Sequence, residues 1–139
     1  MIVDVKGLVA GRVASKIAKA VVTGEKVMII NAEEAVIVGN PESIMAKYTL
    51  RVQAKVHSNP HFGPKYERIP SKILRRMIKG MLPKGPRAVE RYIKMVTVHN
   101  TTPKLLPKEE VKQFEEFKFN ERHKCLTLGE IAKSLGGKW

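Results

Sequence analysis

The opening of the chain constrains its fold more than any other stretch. Ile2 to Val5 is a short β-branched run, Gly7 and Gly11 mark a turn, and helical periodicity then continues to about Val22. Gly24 closes that helix, and Val27 to Ile30 is a second apolar run. A strand, a crossover helix and another strand within so short a span imply two adjacent parallel strands with a right-handed connection. Ala35 to Val38 reads as a third, short strand. Asn40 before Pro41 supplies an N-cap and a favoured first helical residue, which predicts a helix from Pro41 to about Ala54. A further helix is expected from Ser71 to about Met81, broken by Pro83, Gly85 and Pro86 and restarting at Arg87, before a strand at Met95 to Val98. Strands alternating with helices give the α/β class, a layered sheet.

Between Lys55 and Pro70 the periodicity stops, because Pro60, Gly63, Pro64 and Pro70 prevent regular structure. A loop this long in a small domain is a functional or a mobile segment. With no apolar face to hold it down, it is expected to be mobile until a partner orders it. After Pro103 the charges become mixed, with Glu109, Glu110, Glu115 and Glu116 among lysines and phenylalanines. Thr127 and Glu130 have capping-box spacing for a last short helix that Gly136 stops. At 139 residues, the chain is expected to be one domain (1–139) with a basic region about 47–94 and a C-terminal region 103–139.

Lys and Arg number 26 against 13 Asp and Glu, a formal charge of +13 that calls for a polyanionic partner. Cys125 is the single cysteine, so neither an intramolecular disulfide nor a cysteine metal cluster is available. The sequence has no apolar run of membrane-spanning length and no signal-peptide pattern at its start, which predicts a cytoplasmic protein.

The arrangement of the cations is more informative than their number. Arg12, Lys16 and Lys19 share a face opposite Val13, Ile17 and Val21. Lys47, Arg51 and Lys55 repeat the pattern, as do Arg87, Arg91 and Lys94. Lys72, Arg75, Arg76 and Lys79 fall at i, i+3, i+4 and i+7, with Ile73, Met77 and Met81 expected behind them. From Lys47 to Lys94, 13 basic residues face only Glu67 and Glu90. A merely solvated face interleaves both signs, whereas a nearly pure basic face repels itself until a polyanion neutralises it. Lys65, Arg68 and Lys84 extend the basic set. In the loop, His57, His61, Phe62 and Tyr66 place flat rings beside these cations, suited either to stacking on unpaired bases or to pinning the loop. His57 and His61 lack a nearby third ligand, so no metal is expected.

The GMLPKGP string from Gly80 to Pro86, within IKGMLPKGPRAVERY from Ile78, closely resembles the signature of the large-subunit ribosomal protein thirteen family. GLVAGRVAS from Gly7, IINAEEAVIVGN from Ile29 and the HSNPHFGP loop extend the resemblance over most of the chain. That loop and ERIPSKILRRMIKG resemble the archaeal and eukaryotic branch, since the bacterial branch has a shorter glycine-rich stretch there. The resemblance implies a three-layer α/β/α domain with a small, mostly parallel four-stranded sheet and no catalytic activity. It also implies contact with large-subunit ribosomal RNA and neighbouring ribosomal proteins, and a part in early subunit assembly. Neither a cofactor nor a small-molecule substrate is expected, nor a membrane partner.

The rival reading is a nucleotide-binding or RNA-modifying enzyme, because strand, glycine turn and helix at Ile2 to Val22 imitate a dinucleotide-binding start. Its glycines read G-x-x-x-G rather than G-x-G-x-x-G, and there is no phosphate-binding G-x-x-x-x-G-K-[ST] loop. None of the serines sits in a nucleophile elbow. Glu33 and Glu34 are adjacent carboxylates, expected to point apart rather than converge on a substrate.

Overall fold

β1 (Ile2–Asp4) leads through a glycine turn into α1 (Ala10–Val22), and β2 (Val27–Ile30) follows, as the apolar spacing predicts. This computed structural model describes residues 1–59, 61–104, 110–120 and 122–139; Pro60 and Glu109, both read from the sequence above, lie outside the described residues. After β2 come β3 (Val36–Val38), α2 (Pro41–Gln53), α3 (Pro70–Met81), α4 (Pro86–Lys94) and β4 (Val96–Val98). The chain ends with β5 (Val111–Lys112), β6 (Cys125–Thr127) and α5 (Leu128–Ser134).

The main sheet has the order β4-β2-β1-β5, and all its pairs are parallel. Val3 lies opposite Ile29, and Ile29 opposite Val98. Because neighbours along a strand point to opposite faces, Val3 and Ile29 pack on one side, while Ile2 and Ile30, only 1% and 3% exposed, are buried on the other. Covering on both faces gives the three-layer α/β fold.

The count of four strands agrees with expectation, but the membership does not. β3 leaves the sheet and pairs antiparallel with β6, Val36 opposite Thr127 and Val38 opposite Cys125. The cause lies just upstream, where Asn31 adopts a left-handed φ of 59° and a 3-10 turn at Ala32–Glu34 redirects the chain. Asn tolerates this conformation. Its side chain is held on both sides, the amide donating to Asp4 Oδ1 at 2.9 Å and the carbonyl accepting from Thr102 at 2.8 Å. The fourth place in the sheet goes to β5, against β1.

Buried residues of β1, α1, β2, α3, β4 and α5 form one continuous cluster. α1 contributes Val13, Ile17 and Val21 as expected. In α3 the inward residues are Ile73, Leu74 and Ile78, whereas Met77 is half-buried and Met81 is 46% exposed, a correction to the stripe read from the sequence. α3 packs against both α1 and α5, so it needs a wider apolar face, which rotates toward Leu74. α2 buries no residue fully and touches the core through Ile44, Met45, Tyr48 and Val52.

Both caps read from the sequence are present. Asn40 accepts from the Glu42 amide, and Thr127 and Glu130 form a reciprocal capping box at 3.2 and 2.8 Å. Gly136, at φ 74°, ends α5. The long loop departs from the expectation of a segment without anchors. Its first part, 54–59 and 61–64, is exposed, but Tyr66 and Ile69 are half-buried. The Arg76 guanidinium donates to the Lys65 carbonyl at 2.8 Å, and the Arg68 carbonyl lies hard against Gly137, where a Cβ would collide with it.

Candidate nucleic-acid interface

α3 carries Lys72, Arg75, Arg76 and Lys79 on its exposed side because Ile73, Leu74 and Ile78 are committed to the core. All four line a groove of about 620 Å³ whose other wall, leading into α4, contributes Leu82, Lys84 and Val89. Glu67 stands at its rim and pairs with Lys72 at 3.3 Å. The helical spacing therefore converges on one concavity, and Lys84 joins it through the fold.

The two arginines are not free forks. Arg75 donates to the Ile93 carbonyl at 3.0 Å, bracing α3 against the end of α4. Arg76, besides its bond to Lys65, lies 4.0 Å over the Tyr66 ring. Lys79 and Lys84 enter no ion pair among the described residues. Each arginine thus spends part of its donor set on the protein.

Beside the groove, and sharing Glu67, Arg76 and Gly80 with it, is a second hollow of about 250 Å³ between α2 and α3. Tyr48, Arg51, Val52, Tyr66, Ile73 and Met77 complete its lining. Arg51 lies 5.6 Å from the Tyr48 ring centre and 5.8 Å from that of Tyr66. Burial pushes the Tyr48 hydroxyl above the usual phenol range, against the opposing pull of Arg51, so the hydroxyl stays protonated.

The other sequence candidates are dispersed. Arg12 and Lys16 are exposed on α1, and Lys47 lies with Arg51 along a hollow between α2 and β3. Lys55, His57 and His61 are exposed on the first part of the loop, Arg68 lies beside the C-terminal tail, and Arg87 and Arg91 are exposed on α4. None of these lines the groove. Of the two loop rings, Tyr66 is half-buried with the Arg76 guanidinium 4.0 Å from its centre, and Phe62 is 73% exposed. The sequence reading missed Tyr48, whose signal was its i,i+3 spacing from Arg51 on α2.

The glycine turn that imitates a dinucleotide site is closed over by the chain itself. The Gly7 amide donates to the Glu34 carbonyl, its carbonyl accepts from the Phe119 amide, and the Val9 amide donates to the Phe117 carbonyl. These groups are occupied where a phosphate would need them. Glu33 and Glu34 also have structural partners, the Trp139 indole at 3.0 Å and Lys6 at 3.0 Å. Among the described residues no group of three or more His, Cys, Asp or Glu could hold a metal ion, and no helix is long and apolar enough to cross a membrane.

Two archaeal relatives, each described as large ribosomal subunit protein uL13, align along nearly their whole length. The one from Methanosphaera stadtmanae is 40% identical over 99% of this chain and 98% of its own, and the one from Methanocaldococcus jannaschii is 41% identical over the same shares. A relative of the same description from Thermoplasma acidophilum is 34% identical over 98% of each chain. The family model for ribosomal protein L13 matches residues 1–105, a span holding β1 to β4 and every residue of the basic groove, and the chain belongs to that family.

Proposed function

We propose that the protein is a non-catalytic structural constituent of the large ribosomal subunit, bound to its ribosomal RNA in the cytoplasm through the α3 groove and supporting subunit assembly. The observation that carries this reading is the convergence of Lys72, Arg75, Arg76, Lys79 and Lys84 on one concave surface, with Glu67 as its acidic member. Such a surface attracts a phosphate backbone and repels itself without one. Family membership supplies the identity of the polyanion, since the relatives' descriptions place them in the large ribosomal subunit. Lys47, Arg51, Lys55, His57, His61, Lys65, Arg68, Arg87 and Arg91 form an outer ring of contacts, with Arg12 and Lys16 on α1. Neighbouring ribosomal proteins meet the faces that RNA leaves free.

The test is sedimentation of untagged protein from cell extract in moderate salt. The protein is expected with the large subunit, and Lys79→Gln with Lys84→Gln should reduce its share there. Absence of the wild type from that fraction would refute the proposal.

A further inference from the structure

The hollow between α2 and α3 has a different chemistry from the groove beside it. The groove is lined mainly by cations, whereas the hollow has two phenol rings, two guanidinium planes, the polarizable thioether of Met77 and the aliphatic Val52 and Ile73. Phosphates suit the first surface, and a flat heteroaromatic ring suits the second. The two share Arg76, Glu67 and Gly80, so a strand whose backbone follows the groove passes the mouth of the hollow. Gly80 leaves that junction open, since a Cβ built on it meets nothing within 4 Å.

From this juxtaposition we infer that the α2–α3 hollow is a pocket for one unpaired RNA base, stacked against Tyr48, Tyr66 and Arg51 while the adjoining phosphates lie in the α3 groove. This rests on the RNA-binding reading above and adds to it a site for a base. Tyr66 is already fixed from one side by Arg76 at 4.0 Å and Lys65 is tied to the same guanidinium, so the ring is oriented before a ligand arrives. The protonated Tyr48 hydroxyl and the Glu67 oxygen not engaged by Lys72 offer a donor and an acceptor to base edges. A base already outside a duplex is the cheapest to seat, because little pairing or stacking is lost.

The experiment compares two RNA hairpins of one sequence, fully paired or carrying a single bulged adenine. The wild type is expected to prefer the bulged hairpin by about tenfold, in line with stacking of one base on aromatic groups. Both affinities should fall with salt while their ratio stays constant, since stacking releases no counterions. Tyr66→Leu should abolish the ratio while leaving binding to the paired hairpin within about twofold, and Tyr66→Phe, which keeps the ring, should restore it. Thermal unfolding of Tyr66→Leu checks that the variant folds. Equal wild-type affinity for the two hairpins, with steep salt dependence for both, would overturn the base pocket and leave the groove intact. A ratio that persists in folded Tyr66→Leu would overturn it too, and failure to bind either hairpin would count against the RNA-binding reading itself.

Discussion

Arg76 and Lys79 are three residues apart on one helix, yet the structure gives them different duties. Arg76 holds the Lys65 carbonyl and the Tyr66 face, so its removal costs internal contacts as well as charge. Arg76→Gln is expected to lower folding stability by about 1 kcal/mol, the scale of one hydrogen bond and an exposed cation–π contact. Lys79→Gln with Lys84→Gln removes two cations that pair with no acid among the described residues. Stability should move by less than about 0.5 kcal/mol in that double variant, while the slope of log affinity for RNA against log salt becomes shallower by roughly 1.4 to 1.8. Urea unfolding and salt titration measure both; a destabilised lysine variant with an unchanged slope would reverse these assignments. Gly137 is a different case, since its lack of a side chain lets the tail lie against Arg68 while its amide bonds Ala132 at 2.8 Å. Gly137→Ala should cost about 1–3 kcal/mol through overpacking, read from the unfolding midpoint.

Among the elements, α2 and α5 begin with equally recognisable caps but carry unequal weight. α5 buries Leu128, Ile131 and Ala132, whereas α2 buries nothing fully, and the Asn40 cap is a single long bond of 3.3 Å against the two bonds of Thr127 and Glu130. Thr127→Ala should therefore lower global stability by about 1–2 kcal/mol, while Asn40→Ala should cost about 0.5 and loosen α2 locally. Hydrogen exchange separates the two outcomes, and equal global shifts would contradict the ranking. Caps were legible in the sequence because they are local, set by residues two or three apart. So were the β1-α1-β2 start and the basic side of α3. β5 was not, because Val111 and Lys112 have no periodicity and gain their strand geometry only from β1. The departure of β3 was equally hidden, since its partner β6 lies almost ninety residues on and nothing in Val36–Val38 names it. In the candidate interface, cation spacing marked the basic stripe of α3, but the roles of Arg75 and Arg76 depended on carbonyls at Ile93 and Lys65, which only the packed chain brings near.

For the molecule as a whole, the +13 charge makes RNA affinity a function of ionic strength. With about six phosphates neutralised, log affinity should fall with log salt at a slope of roughly −4 to −5, and a slope near zero would remove the electrostatic account of the groove. The topology has another consequence, in the order of synthesis. β1 precedes every other described strand along the chain but is interior in the sheet, and one of its two partners, β5, begins at Val111. β3 waits for Cys125–Thr127, and Glu33 for the indole of Trp139. The amino-terminal strand thus leaves the translating ribosome with one edge unsatisfied, and the tail must finish the sheet and fasten the loop base at Arg68. A chain stopped at residue 110 should remain protease-sensitive where residues 1–139 together resist, because the stretch made after β4 closes the sheet edge that the earlier strands leave open.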